Sequence, residues 1–163
     1  NGTSSKNISI YNHIKHNKLQ EIYSLNFSFG TEIANNIGMV EKYRILIVED
    51  DKLVRWSLID VLNKNGYEAT STETGEEAIN KIEDAKFDLV ITDLRLPGIG
   101  GFEVLNRVKE INPSTKVIMI TAYGSEGVAN EARAKGAELF VNKPFEINRI
   151  REEVKEMLLK GGD

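Results

Sequence analysis

The length, composition and charge of this chain exclude several classes of protein. With 163 residues, 40% of them hydrophobic and 28% charged, it can bury one sizeable core but not two ordinary ones. A net charge of −4 argues against direct binding of nucleic acid, and the absence of cysteine excludes disulfides and thiolate metal sites. No apolar run reaches the roughly 18 residues of a membrane span and no signal-peptide pattern opens the chain. We therefore expect a soluble, cytoplasmic protein with no membrane partner.

The first 38 residues differ in composition from the rest. They contain seven asparagines and only scattered apolar positions, whereas a regular pattern begins at Met39. We expect residues 1–38 to be an extension outside the folded domain and residues 39–163 to form that domain. The alternative is a short amphipathic helix, because Ile10, Ile14 and Ile22 recur at near-helical spacing. Such a helix would dock on the domain or on a neighbouring molecule.

Beyond Met39, short apolar strands alternate with helical patterns five times. Strands are predicted at 44–48, 67–72, 88–92, 116–120 and 138–142, and helices at 52–65, from Thr74 onward, at 102–111, 125–135 and 146–160. Three of the strands are continuously apolar, which is typical of strands buried on both faces of a parallel sheet. The alternation predicts an α/β fold, a doubly wound (βα)5 domain with a five-stranded parallel sheet.

Charged and hydroxyl side chains follow the predicted strands at their carboxyl ends. In a doubly wound sheet this is the edge where ligands bind. The first strand is followed by Glu49, Asp50 and Asp51, the third by Asp93, the fourth by Thr121 and the fifth by Lys143. Asp51 directly precedes a helix, so we interpret it as a helix cap. The other five residues are predicted to share one site.

Carboxylates gathered in this way need a counter-charge. Two of them about 4 Å apart repel by about 4 kcal/mol at an effective dielectric constant of 20. Mg²⁺ suits a site with a few carboxylates that leaves water positions for phosphate oxygens. Asp93 would then be placed to attack a phosphoryl group, with Lys143 stabilising its oxygens and Thr121 donating its hydroxyl to the product.

Four motifs at four strand ends carry a family resemblance. "ILIVEDD", "VITDLRLPGIGG", "MITAYGS" and "FVNKPF" together resemble the receiver domain of two-component response regulators. The resemblance implies the flavodoxin-like receiver fold with strand order 2-1-3-4-5. It also implies that Asp93 accepts a phosphoryl group from a sensor histidine kinase in a Mg²⁺-dependent step. "KLVRWSL" and "TAYGS" further resemble nitrogen-regulation-type receivers, which are joined to an ATPase and a DNA-binding domain and so regulate transcription.

The resemblance also implies ligands for Mg²⁺. By motif position these are Asp50, Asp93 and the backbone carbonyl of Arg95, with Glu49 acting through a water molecule.

The same resemblance implies how the domain switches and how long the phosphate survives. Phe140 stands where the family places an aromatic switch that turns inward when Thr121 moves towards the phosphate, and Lys143–Pro144 is expected to be a cis peptide. Arg95 and Tyr123 stand two residues after Asp93 and Thr121, where side chains border the approach of water. Their bulk predicts slow self-dephosphorylation.

The expected output is altered binding rather than classical enzyme activity. Phosphorylation is expected to change the surface formed by the fourth helix, the fifth strand and the fifth helix. A homodimer that forms on phosphorylation is one alternative for the partner of that surface. The chain ends at "LLKGGD", so we expect the output domain or protein to lie outside it, whether the receiver is excised or stands alone.

Two alternatives remain at this stage. One is a pseudo-receiver that binds partners without phosphotransfer. The other is a flavodoxin-like cofactor binder, which would need a phosphate loop rich in Ser, Thr and Gly where this sequence has acids after the first strand.

Overall fold

Five strands and five helices alternate through residues 42–159, which are the residues that this computed structural model describes. The strands are β1 (Arg44–Val48), β2 (Glu68–Thr72), β3 (Leu89–Asp93), β4 (Lys116–Thr121) and β5 (Leu139–Asn142). The helices are α1 (Lys52–Lys64), α2 (Gly75–Asp84), α3 (Gly101–Ile111), α4 (Glu126–Ala134) and α5 (Ile147–Leu159). The predicted extension 1–38 and its helical alternative lie outside the described residues.

The strands form one parallel sheet in the order β2-β1-β3-β4-β5. This confirms the predicted fold and strand order. All five residues of β3 are buried, as are the last four of β1 and the last five of β4. Their continuous apolar sequences therefore reflect a position at the centre of the sheet, with helices covering both faces.

Two apolar cores lie on opposite faces of the sheet because alternate strand residues point to opposite sides. Leu46 and Val48 belong to the core that includes residues of α2, α3 and α4. Ile45 and Ile47 belong to the core that includes residues of α1 and α5. Of the helices within residues 42–159, none is long and apolar enough to cross a membrane.

Strands β3 and β4 each run one residue further than the sequence suggests. Asp93 pairs with Ile120 across the β3–β4 ladder, and Thr121 pairs with Asn142 across the β4–β5 ladder. A polar residue after an apolar run looks like the end of a strand, but here pairing with the neighbouring strand continues. The ladder therefore holds the backbone of both residues.

Local signals fix where α1 and α2 begin and where α1 ends. Asp51 caps α1 by accepting hydrogen bonds from the amides of Leu53 and Val54 at 2.8 and 3.0 Å, which confirms its interpretation as a cap. Thr74 caps α2 by accepting a hydrogen bond from the amide of Glu77, and the Glu77 carboxylate accepts one from the amide of Glu73. After α1, Gly66 takes a φ of +88°, a left-handed conformation that favours glycine.

Candidate functional site

Three carboxylates meet at the carboxyl edge of the sheet. Glu49 and Asp50 follow β1, and Asp93 ends the neighbouring strand β3, where Val48 pairs with Thr92. One carboxylate oxygen from each of the three acids lies within 4.8 Å of the others. Glu49 is 1% exposed and Asp93 is 7% exposed, whereas Asp50 is exposed. Parallel pairing of β1 and β3 thus brings together acids more than 40 positions apart in sequence.

Lys143 bridges two of these acids from the end of β5. Its Nζ donates to Glu49 Oε1 at 2.9 Å and to Asp93 Oδ2 at 2.5 Å. Its side chain is 19% exposed. The ammonium is therefore held between the two buried carboxylates, at the place that the sequence predicted for a fixed cation.

Burial and the ion pairs shift the pKa values of two of these groups. Burial raises the pKa of Glu49 above its ordinary value, although the hydrogen bond and the charge of Lys143 oppose this shift. For Lys143, burial works to lower the pKa, but the hydrogen bonds to Asp93 and Glu49 outweigh it and the pKa is raised. Lys143 is therefore firmly cationic, while Glu49 carries its charge at a cost in free energy.

The acidic cluster fits a hard divalent cation. Three carboxylates and one ammonium leave a formal charge of −2, which one Mg²⁺ would balance. The available donors are carboxylate oxygens, the ligands that Mg²⁺ prefers. Asp51 is excluded from this set because its carboxylate is occupied as the cap of α1.

A second group of side chains lies beside the acids. The amide of Arg95 donates to Asp93 Oδ1 at 2.8 Å, and the amide of Tyr123 donates to Thr121 Oγ1 at 3.1 Å. The Arg95 guanidinium lies 4.3 Å from the centroid of the Tyr123 ring. Arg95 and Tyr123 are both exposed, and Thr121 is fully buried. The loops after β3 and β4 are thus joined by a cation–π contact.

Phe140 is half-buried and packs against the core on the α2–α3–α4 face. A Cβ placed on Gly124 would clash with Oδ1 of Asn142 and would lie 2.7 Å from Phe140 Cε1, which is closer than non-bonded carbon atoms approach. The glycine after Tyr123 therefore provides the space that this ring occupies. The Lys143–Pro144 peptide is cis, as the resemblance implied.

Arg55 lies within the motif "KLVRWSL", but the resemblance assigned it no role in the site. Its Nη1 donates to the backbone carbonyls of Glu49 and Asp50 at 2.7 and 3.1 Å, and its Nη2 forms an ion pair with Glu73. A signal was present in the sequence, since a cation in the first turn of a helix opposes the helix dipole.

Comparison with known proteins agrees with this geometry. The sequence profile described as response regulator receiver domain matches residues 45–155. Sporulation initiation phosphotransferase F of Bacillus subtilis is 38% identical over 115 residues, which cover 71% of this chain and 93% of that protein.

Two solved structures show the same likeness. A CheY-like receiver domain protein from Methanospirillum hungatei is 33% identical with a TM-score of 0.71, covering 74% of this chain and 96% of its own. The beryllofluoride-activated NtrC4 receiver domain dimer is 32% identical with a TM-score of 0.68, and the match covers 72% of this chain and 97% of the NtrC4 chain.

Proposed function

Since the chain belongs to the response regulator receiver domain family, we propose that its Asp93 accepts a phosphoryl group from a sensor histidine kinase in a Mg²⁺-dependent step. The observation that carries this proposal is a buried aspartate that contacts a lysine ammonium and has a carboxylate oxygen within 4.8 Å of oxygens of two further acids. The domain is a regulatory one, and its phosphorylation would be the signal that it passes on.

In the transfer step, a carboxylate oxygen of Asp93 forms a bond to phosphorus as the P–N bond of the kinase phosphohistidine breaks. The imidazole nitrogen keeps the electron pair of that bond. Lys143 already touches Asp93 at 2.5 Å, so its charge lies where negative charge builds up on the phosphoryl oxygens. The Thr121 hydroxyl would donate to a phosphoryl oxygen of the product.

Mg²⁺ would be held by Asp50, Asp93 and the Arg95 carbonyl, with Glu49 acting through water. Bound there, it would neutralise charge on the acids and on the phosphoryl oxygens. The burial of Glu49 and its ion pair with Lys143 support an indirect role for that carboxylate. Asp50 is exposed and so is open to a hydrated ion.

The output would follow from a change in packing around Thr121. Movement of this buried hydroxyl towards the phosphate would free space into which Phe140 turns, altering the surface of α4, β5 and α5. An output partner outside this chain would read that surface, with transcription as its end point. The similarity to an activated receiver dimer supports a phosphorylation-dependent homodimer as one form of this output.

Residues 39–163 would suffice for this activity. The family profile begins at residue 45, and the described fold within residues 42–159 contains every residue of the proposed site. Deleting residues 1–38 should therefore leave the phosphorylation rate and the melting temperature nearly unchanged. A large loss of stability would favour the docked helix instead.

Intact mass after incubation of the full chain with Mg²⁺ and acetyl phosphate tests the proposal. We expect a gain of one phosphoryl group in the wild type and none in Asp93→Asn, because the amide keeps the shape but loses the nucleophile. Asp60→Asn is the matched control, since Asp60 forms an ion pair with Lys64 on α1 and should not affect labelling. A wild type that gains no mass would favour the pseudo-receiver.

A further inference from the structure

Arg55 connects three segments of chain at the edge of the acidic cluster. It lies in the first turn of α1, and its side chain is 11% exposed. One nitrogen, Nη1, donates to the carbonyls of both Glu49 and Asp50, and the other, Nη2, pairs with Glu73 beyond the end of β2. The guanidinium therefore joins α1, the loop after β1 and the loop after β2.

The two carbonyls that Arg55 binds belong to the acids of the proposed metal site. Within residues 42–159 they have no other hydrogen-bond donor. Fixing two successive carbonyls fixes the peptide planes on either side of Asp50, and hence the direction in which its side chain leaves the backbone. We propose that Arg55 is a positioning residue, which holds the backbone of Glu49 and Asp50 so that their carboxylates point into the cation site.

A planar guanidinium suits this task better than any other cation. Its donors lie in a rigid fork, so one side chain can bind two carbonyls and a carboxylate at set angles. A lysine ammonium has the same charge but no such fork. Glu73 sets the orientation of the guanidinium from the opposite side, and the Glu73 amide is itself bound by the Glu77 carboxylate at 3.2 Å. The acidic loop is thereby connected to the first turn of α2.

A positioning role and a purely electrostatic role of Arg55 predict opposite changes in the affinity for Mg²⁺. If Arg55 acted only as a nearby positive charge, it would repel Mg²⁺, and Arg55→Met would bind Mg²⁺ more tightly. If it positions the acids, both Arg55→Met and Arg55→Lys should bind Mg²⁺ more weakly, by roughly tenfold, the scale of losing a group that orients metal ligands. The lysine variant is informative because it keeps the charge.

The experiment measures the Kd for Mg²⁺ by calorimetry on the full chain without any phosphodonor. Arg107→Lys and Arg107→Met are matched controls and should leave the Kd unchanged, because Arg107 pairs with Glu83 of α2 and with Glu110 of its own helix, α3. A second readout uses metal-free protein, in which backbone order parameters at residues 49–51 should fall in Arg55→Lys but not in Arg107→Lys. In phosphorylation by acetyl phosphate, saturating Mg²⁺ should restore most of the rate of Arg55→Lys.

The inference rests on the proposed function, and the two can fail separately. A wild-type Kd in Arg55→Lys, or tighter binding in Arg55→Met, overturns the positioning role while leaving phosphorylation of Asp93 intact. A wild type that binds no Mg²⁺ overturns the metal-dependent step and the positioning role with it. Unchanged order parameters at residues 49–51 would show that the loop keeps its shape without Arg55, which also overturns the inference.

Discussion

The contact between Arg95 and Tyr123 predicts a measurable effect on the lifetime of the phosphorylated state. The two side chains come from the loops after β3 and β4 and meet at 4.3 Å, beside Asp93 and Thr121. If the contact must open before water can line up behind phosphorus, its free energy adds to the barrier of hydrolysis. An exposed cation–π contact is worth about 0.5–1 kcal/mol. Breaking it should therefore accelerate phosphate loss about twofold to fivefold.

The assay follows phosphate loss from the full chain after the donor is removed. Arg95→Met and Tyr123→Leu each remove the contact and keep side-chain bulk, and Arg95→Met leaves its backbone carbonyl in place. Because both variants break the same contact, the double variant should lose phosphate no faster than the faster single one. Lys135→Met is the control, since Lys135 lies 5.9 Å from the Phe102 ring in a separate contact of the same kind. Unchanged lifetimes, or effects that multiply in the double variant, would refute this reasoning.

Three further predictions concern stability and switching. Thr72→Val should raise the free energy of unfolding by about 1–3 kcal/mol, because the buried Thr72 hydroxyl has no hydrogen-bond partner within residues 42–159 and valine keeps its shape. A lower melting temperature would show that the hydroxyl has a partner. Gly124→Ala should displace Phe140, whose ring lies 2.7 Å from the new Cβ, and shift its ring resonances in NMR spectra, whereas Gly127→Ala, which meets only the Ser125 hydroxyl at 3.9 Å, should not. Because burial raises the pKa of Glu49 above 4.5, its contribution to stability is present at low pH and is lost as the pH rises from 4.5 through the folded-state value. We therefore expect the free energy of urea unfolding of Glu49→Gln, measured without metal, to increase relative to that of the wild type as the pH rises through this range. A difference in unfolding free energy that does not change with pH would contradict the raised pKa of Glu49.

Much of the fold could be predicted from the periodicity of apolar residues, but the ends of β3 and β4 depend on pairing with neighbouring strands. The apolar runs at β1, β3 and β4 identified the centre of the sheet. The same reasoning ended β3 before Asp93 and β4 before Thr121, because a polar residue after an apolar run usually marks solvent. In the structure both residues are buried in the ladder, since the neighbouring strand supplies hydrogen bonds that sequence periodicity does not report.

For the candidate site, the sequence predicted where the backbone places the residues but not the contacts that their side chains make. Strand ends placed Glu49, Asp50, Asp93 and Lys143 together because topology alone determines where they emerge. The contacts of Arg55 with two nearby carbonyls and of Arg95 with Tyr123 in another loop both depend on side-chain rotamers. A cation in the first turn of α1 marked Arg55 as unusual, but residue type and spacing do not determine the rotamers that make these contacts.

The position of Lys143 in the chain gives the proposed site an order of assembly during synthesis. It follows Asp93 by 50 residues and Glu49 by 94. At about 5–20 residues per second, a ribosome needs about 3–10 seconds to proceed from Asp93 to Lys143. During that interval the nascent chain carries the acids of the site without the ammonium that pairs with two of them. The proposed site is therefore complete only after residue 143 has been added to the chain.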